Sequence, residues 1–334
     1  MRTPVALAMT AATAAVITIV AVITVGADTP GLAFHAQAGW PTLPQGREKI
    51  GNMHGDVAVS SAGEVYVSVQ DPDAGLQVFA ADGRFLRNVP NAPSDFHGFV
   101  INRDSDGEFL YGVRLREQSV VKMKLDGTVV MTIPSSAFPE ALKVRNARSG
   151  QLALALTDVI LGPGADLYVS DGYASDVIHR FDRAGKYLTS FGGKKEPYGF
   201  STLHKLALDT RFTPARLIAC DRANNRVVHL WLDGEFLGVV AKDLLLPAAI
   251  VIYRDYAIVG ELRGRVTVLD KSGTAVSRLG MNTDAGVGGN QIPPELWRLG
   301  IFGAPHGVAV NDRGDLFVSE FNASGRVHRF NRQP

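Results

Sequence analysis

Residues 307–320 read Gly-Val-Ala-Val-Asn-Asp-Arg-Gly-Asp-Leu-Phe-Val-Ser-Glu, and variants of this pattern recur along the chain. Each copy contains two short apolar, alternating runs separated by a turn rich in glycine or aspartate, which is typical of a β-hairpin. The copies lie at 56–68, 99–111, 158–170, 206–219, 250–259 and 308–319. The recurrence indicates one supersecondary unit that is repeated along the chain.

A second hairpin, with a glycine turn, follows most of these copies, at 78–86, 121–130, 178–188, 228–237 and 266–276. Three of the turns are Asp-Gly pairs, such as Asp82-Gly83, and this pair strongly favours a tight hairpin. Together the two hairpins predict a four-stranded antiparallel sheet. Short, regularly spaced strands without helical periodicity, repeated six times, predict an all-β fold, a six-bladed β-propeller.

The sixth copy ends at 327–330 and lacks an outer strand. We expect the segment before blade 1, around Arg47-Glu48-Lys49-Ile50, to supply it, because this pairing would cover an open sheet edge. The predicted organisation is a targeting segment at 1–27, a linker with the closing strand at 28–49, and the propeller at 50–334.

The N terminus carries Arg2 and then an almost uncharged apolar run from Val5 to Ala27. This pattern is typical of a secretory signal, and the run is also long enough to span a bilayer if it is not cleaved. We therefore expect export to the periplasm or the extracellular space, with membrane contact only through this segment, either cleaved or retained as an anchor.

Composition and charge narrow the class of protein. The chain of 334 residues is 46% hydrophobic and 20% charged, as in ordinary folded proteins. Its net charge is +1 and no basic block stands out, so we expect no nucleic-acid partner. The single cysteine, Cys220, cannot form an intrachain disulfide and lies in an apolar run, where a small buried hydrophobic residue is expected.

Histidine precedes the first strand in every second copy of the repeat. The equivalent positions are Gly55, His97, Thr157, His204, Ala248 and His306. Alternate blades of a sixfold ring are about 120° apart and the innermost strands begin near the axis, so these three imidazoles should converge. Three imidazoles suit Zn²⁺ and leave an open coordination position, as in catalytic sites. The alternative is that they are polar residues of a recurring turn.

The remaining histidines show a weaker pattern. His179, His229 and His328 share a position in the middle of the third strand, where we expect histidines on a sheet face. His35 and His54 receive no role.

The motif at 307–320 resembles the NHL family of propellers, and the resemblance covers residues 50–332. Residues 157–240 resemble more closely the peptidyl-α-hydroxyglycine α-amidating lyase, itself an NHL-type propeller. The stretches that carry this likeness are 169–173 (Val-Ser-Asp-Gly-Tyr), 178–192, 203–208 (Leu-His-Lys-Leu-Ala-Leu) and 220–226 (Cys-Asp-Arg-Ala-Asn-Asn-Arg). The family binds zinc through histidines on alternate blades, which the resemblance assigns to His97, His204 and His306.

The resemblance also implies roles for Tyr173, as the base, and for Arg222, as an arginine of the active-site cavity. Zinc would polarise the substrate hydroxyl or carboxylate, Tyr173 would take a proton, and the C–N bond would break to give an amide and glyoxylate. Judged alone, Tyr173 could instead cap a blade turn, and Arg222 could pair with Asp221 or Asp171.

The chain departs from the family at several positions. Gln70 stands in place of a second active-site arginine, and Ala304 in place of a methionine. Gly307 replaces an acidic residue that helps the family to hold calcium, and the family's disulfide cysteines are absent. The zinc-binding core is therefore expected, whereas the calcium site and recognition of a substrate carboxylate are not supported.

These features leave three functional hypotheses. The first is a zinc-dependent lyase that acts on a small-molecule or peptide substrate with a hydroxyl or carboxyl group. The second is a non-catalytic exported propeller whose loop face binds a protein or another ligand. The third, a lactonase-type hydrolase with acidic calcium ligands, ranks last because the six equivalent positions contain no ring of acids.

Overall fold

The computed structural model describes residues 32–283 and 289–333. Within these ranges the strands form six four-stranded antiparallel sheets and one two-stranded sheet. The fold is the predicted six-bladed β-propeller, in which each blade contributes one sheet. No helix in the described ranges is long and apolar enough to cross a membrane. The predicted targeting segment at 1–27 lies outside the described residues.

The chain begins with β1 (Phe34–Ala36) and then builds the blades in order. Blade 1 contains β2 (Val57–Val59), β3 (Val65–Ser68), β4 (Leu76–Phe79) and β5 (Phe85–Asn88). Blade 2 contains β6 (Phe96–Asp104), β7 (Gly107–Arg114), β8 (Ser119–Lys124) and β9 (Val129–Ile133). A small hairpin of β10 (Val144–Arg145) and β11 (Leu152–Ala153) and short 3₁₀ turns at Ser135–Ala137 and Glu140–Leu142 precede blade 3.

Blade 3 contains β12 (Asp158–Leu161), β13 (Leu167–Ser170), β14 (Val177–Phe181) and β15 (Tyr187–Gly192). Blade 4 contains β16 (Leu203–Asp209), β17 (Arg216–Asp221), β18 (Arg226–Leu230) and β19 (Phe236–Ala241). Blade 5 contains β20 (Pro247–Tyr253), β21 (Tyr256–Glu261), β22 (Arg265–Leu269) and β23 (Ala275–Leu279). After a 3₁₀ turn at Pro294–Leu296, blade 6 contains β24 (Pro305–Val310), β25 (Leu316–Glu320) and β26 (Arg326–Arg332).

The hydrophobic core lies between neighbouring blades. One cluster joins Tyr66 and Val78 of blade 1 to Phe99 and Val121 of blade 2, and the other five clusters repeat this arrangement around the described ring. The inner strands are therefore buried on both faces, which explains their near-continuous apolar sequences. Cys220 is one of these buried core residues, as expected.

The hairpin turns follow the predicted chemistry. At Asp82-Gly83 the Asp82 carboxylate accepts a hydrogen bond from the Arg84 backbone N–H at 3.0 Å. Gly83 has a φ of 99°, and an added Cβ would lie 2.5 Å from Trp40. Only glycine fits this position without strain, because the backbone is in the left-handed region and the space is already filled.

The N-terminal segment closes the ring, but through different residues from those expected. β1 pairs antiparallel with β26, with Phe34 opposite Arg332 and Ala36 opposite Phe330. The prediction that 47–50 supplies the outer strand was therefore wrong in its position. Phe34 is buried beside Phe330, whereas Glu48 and Lys49 are exposed, so the apolar stretch is the one that packs.

Candidate functional site at the propeller axis

The first strands of the blades surround the axis, and all begin at one face of the ring, here called the upper face, where β6, β16 and β24 start. His97, His204 and His306 occupy the second position of these strands. The pairing register of each strand with its neighbour shifts at the histidine, which indicates a β-bulge. Such a bulge turns a side chain away from the regular sheet alternation, and here it accompanies rings directed to the axis.

The structure brings the three predicted histidines together. Their ring centroids are separated by 4.9 Å for His97 and His204, 4.8 Å for His97 and His306, and 4.9 Å for His204 and His306. All three side chains are buried. The spacing of every second blade in the sequence therefore corresponds to one compact cluster.

A backbone carbonyl on the next blade orients each ring. His97 Nδ1 lies 2.7 Å from the carbonyl oxygen of Thr157, and His204 Nδ1 lies 2.6 Å from that of Ala248. His306 Nδ1 lies 3.2 Å from the carbonyl oxygen of Gly55. A carbonyl can only accept, so each Nδ1 carries the proton and each Nε2 keeps a lone pair, as a metal-ligating imidazole requires.

The cluster is electrically neutral. Burial lowers the pKa of His97, His204 and His306 well below the usual histidine value, and neighbouring rings and Arg222 lower it further. The rings are therefore unprotonated at Nε2 at neutral pH. His306 Nε2 is buried and has no hydrogen-bond partner among the described residues. A buried nitrogen lone pair without a partner is costly, and a bound metal ion would satisfy it.

Tyr173 reaches the same point from the loop after β13. Its Oη lies 3.0 Å from His97 Nε2 and 2.9 Å from His204 Nε2. The hydroxyl has one proton, so it can donate to only one of these nitrogens at a time. The loop is held by the Asp171 carboxylate, which accepts hydrogen bonds from the Ser175 hydroxyl and from the Ala155 backbone N–H.

Arg222 follows β17 and donates a hydrogen bond from Nη1 to Tyr173 Oη at 3.2 Å. Asp221, the alternative partner considered for Arg222, instead pairs with Arg226 at 2.7 Å. Burial raises the pKa of Tyr173, and the positive charge of Arg222 offsets this only in part. Tyr173 is thus a neutral phenol beside a fixed cation.

His54 also belongs to the cluster, although the repeat register gave it no role. Its ring centroid lies 4.9 Å from that of His97 and 5.0 Å from that of His306. The ligand atoms of His54, His97 and His306 all lie within 4.8 Å of one another. The only sequence signal is that His54 directly precedes Gly55, the blade 1 equivalent of the predicted histidines.

The donor set fits a zinc-type ion, because neutral imidazole nitrogens are ligands that Zn²⁺ prefers. The two ways of grouping the rings differ: centroid distances join His204 to His97 and His306, whereas the 4.8 Å ligand-atom group contains His54 in its place. We weight the centroid geometry for His204, because its Nε2 points to the Tyr173 hydroxyl at the centre of the cluster.

A charged layer lies directly below the histidines. Lys205, the residue after His204, makes ion pairs with Asp56 of blade 1 and, at 2.7 Å, with Asp158 of blade 3. Asp56 also accepts from the Val57 backbone N–H at 3.0 Å. Burial lowers the pKa of Lys205, but both carboxylates raise it more, so the net shift is upward and the ammonium stays charged.

This layer does not fit the calcium site of the resembled family. An added Cβ at Gly307 would lie 2.3 Å from Asp56 Oδ1, so no acidic side chain fits there. The Lys205 ammonium already neutralises the two carboxylates. Gln70, at the other departure from the family, accepts a hydrogen bond at 3.2 Å from Asn52.

On the opposite side of the charged layer, the channel contains a cavity of about 330 Å³. Asp56 and Lys205 form its inner end, and its walls are mainly aliphatic residues of the first strands, such as Ile160, Leu206 and Ile250. None of the clustered histidines lines this cavity, so the charged layer separates it from the candidate site.

The other three histidines lie within blades and make local contacts. His229 Nε2 lies 2.8 Å from Asp209 Oδ2, and His328 Nε2 lies 2.6 Å from Glu320 Oε1. His179 Nδ1 lies 2.8 Å from Ser190 Oγ. These are histidines on sheet faces, as expected.

The chain matches no known family profile. Solved structures of low sequence identity share its fold. A streptogramin B lyase superposes with a TM-score of 0.57 at 13% identity, over 90% of this chain and 98% of its own. A putative gluconolactonase gives 0.60 at 13% identity, over 89% and 98%. A gluconolactonase from Xanthomonas campestris gives 0.60 at 11% identity, over 90% of each chain.

At these identities the likeness concerns the fold. The relatives are streptogramin B lyase and gluconolactonase-like propellers, and these comparisons do not single out NHL proteins or the amidating lyase. The chain is thus a six-bladed propeller of an architecture that lyases and gluconolactonase-type proteins also use, with a histidine cluster at its axis.

Proposed function

We propose that this propeller is a zinc-dependent lyase of the amidating-lyase type, exported from the cell, that acts on a small hydroxylated or carboxylated substrate. One observation carries the proposal. His97, His204 and His306 are each oriented by a carbonyl through Nδ1, and a tyrosine hydroxyl and an arginine meet at the cluster.

The residues fit the metal. His97, His204 and His306 would hold it through Nε2, and the partnerless Nε2 of His306 is the strongest indication. When bound, zinc would supply polarisation of the substrate hydroxyl or carboxylate. The buried, neutral histidines need no deprotonation to bind a cation, so metal affinity should not require alkaline conditions.

Tyr173 is the group placed to move a proton. Burial raises the pKa of its phenol, so additional positive charge must favour the phenolate before Oη can act as a base. Arg222 supplies one such charge through its 3.2 Å hydrogen bond to Oη. The side chain is well positioned for this role, because its backbone N–H is bonded to the Ala155 carbonyl oxygen at 3.2 Å.

The reaction balances without a further reactant. Tyr173 Oη accepts the proton of the α-hydroxyl group, the carbonyl of glyoxylate forms as the C–N bond breaks, and the proton passes to the departing amide nitrogen. The products are a peptide amide and glyoxylate. Arg222 would bind the substrate carboxylate or stabilise the phenolate. Gln70, a neutral residue, provides no second guanidinium group.

The test combines metal analysis with product analysis. The purified chain, incubated with an α-hydroxyglycine peptide, should contain zinc and release glyoxylate, and Tyr173→Phe should keep the zinc and lose the release. A stable protein that binds no zinc would refute the proposal. An exported binding module would then remain, and His97→Ala would leave its partner binding intact.

A further inference from the structure

His54 is packed into the histidine cluster on several sides. Its ring lies 4.3 Å from Phe321 and 6.2 Å from Tyr173, in addition to its contacts with His97 and His306. His54 is half-buried, whereas the other three histidines are buried. It therefore covers the cluster on the upper face.

The backbone around His54 is fixed. Met53 is fully buried and exchanges two hydrogen bonds with Asn322, of 2.9 and 3.1 Å. Gly51 N–H donates to the Ser324 carbonyl oxygen at 3.1 Å, and the Asn52 carbonyl oxygen accepts from Gln70 N–H at 2.8 Å. This segment is thus attached to blades 1 and 6, and His54 is held at the cluster rather than on a free loop.

The side chain of His54 is less constrained than its neighbours. Among the described residues, the hydrogen bond found for its ring is the 3.3 Å contact between Nε2 and Tyr173 Oη. The other three rings each have a carbonyl on Nδ1. Of the four imidazoles, His54 is consequently the one that can turn away with the fewest hydrogen bonds lost.

We propose that His54 is a fourth imidazole ligand, which closes the metal site in the absence of substrate and is displaced when substrate binds. The inference rests on the zinc site proposed above and adds to it. Its evidence is the ligand atoms of His54, His97 and His306 within 4.8 Å of one another and the buried His306 Nε2 without a partner in the described ranges.

The consequence is a change in the type of site. Three protein ligands leave a position open to water or substrate, whereas four close it, as in structural zinc sites. With His54 bound, small anions should reach the metal poorly. Access would then depend on movement of one side chain, which the half-exposed His54 ring permits.

The experiment uses the full propeller loaded with Co²⁺, whose visible absorption reports coordination. The variants are His54→Phe, which keeps the stacking on Phe321 but lacks nitrogen, and His54→Gln. We expect weaker visible bands in both variants, as water replaces imidazole, and a loss of Co²⁺ affinity at least as large as the roughly 10- to 100-fold loss of an outer-shell partner. Acetate should perturb the variant spectra at lower concentrations than the wild-type spectrum.

His35→Ala, on strand β1 far from the axis, is the matched control and should behave as wild type. Circular dichroism and thermal unfolding establish that each variant is folded. If the wild-type chain binds no Co²⁺ or Zn²⁺, both the proposed function and the role of His54 are refuted. If it binds the metal and both His54 variants match it in spectrum, affinity and acetate response, only the role of His54 is refuted.

Discussion

His204 Nδ1 lies 2.6 Å from the carbonyl oxygen of Ala248, the residue at the equivalent position on the next blade. The same relationship links His97 to Thr157 and His306 to Gly55. Each even-numbered blade thus provides an imidazole, and the following odd-numbered blade provides the acceptor that orients it. A side-chain pattern with a period of two blades is converted into a fixed tautomer.

Replacing His97, His204 or His306 by alanine should abolish stoichiometric zinc binding, because each substitution removes a pre-oriented Nε2 donor. Metal content after gel filtration measures this. His229→Ala is the control, since His229 is also buried but bonds to Asp209 within blade 4. Retention of zinc in all three single variants would contradict the proposed site.

Tyr173→Phe should lower lyase turnover by about 10²- to 10⁴-fold, the usual contribution of a positioned acid–base group. Zinc content should not change, because the substitution removes only the hydroxyl that contacts His97 and His204. Glyoxylate release and metal analysis on the same preparation give both values. Tyr187→Phe, which loses a hydroxyl on β15 that bonds to Ser190, controls for the loss of an unrelated phenol.

Lys205→Met should destabilise the propeller by about 3–5 kcal/mol, because it leaves the buried Asp56 and Asp158 carboxylates without their cation. Urea unfolding measures the loss. The triple variant with Asp56→Asn and Asp158→Asn should recover part of the stability. Calcium should not raise the melting temperature of the wild-type chain, and a clear calcium-dependent increase would contradict the role given to Lys205.

His179 should make the propeller less stable in acid. Burial lowers its pKa to about 4, below the ordinary value near 6.5 that applies to the unfolded chain. Between these values the unfolded state binds the proton and the folded state does not, so stability falls as pH decreases through this window. The contribution reaches up to about 3 kcal/mol below pH 4.

His179→Leu removes the titrating group and should flatten the stability profile between about pH 4 and 6.5 by this amount. Urea unfolding across the range compares the variant with wild type. Above pH 7.5 the ring is neutral in both states, so the difference between the two proteins should be constant there. Parallel profiles over the whole acidic range would show that His179 does not contribute.

Phe34→Ala should cost about 3–5 kcal/mol, the usual loss for a buried phenylalanine, because Phe34 packs beside Phe330 on the closing strand. Lys49→Ala, in the exposed stretch that the sequence analysis took for the closing strand, should change stability by less than about 0.5 kcal/mol. Chemical unfolding of both variants tests which residues close the ring. Equal effects would contradict the assignment of β1.

The closing strand shows the limit of sequence periodicity. The missing outer strand of blade 6 was evident from the repeat, and so was its origin in the N-terminal segment. The choice between Phe34–Ala36 and 47–50 depended on which stretch buries its side chains against blade 6, and three-residue strands carry almost no alternation signal.

The sequence by itself determined the repeated blades, the turn chemistry and the alternate-blade spacing of His97, His204 and His306, because these features are encoded locally and recur. Only the tertiary structure decided that His54 joins the cluster and that Lys205 pairs across the channel with Asp56. Tyr173 and His54 are 119 residues apart, and Lys205 and Asp56 are 149 apart. Closure of the ring places such residues in contact, and no local pattern records that geometry.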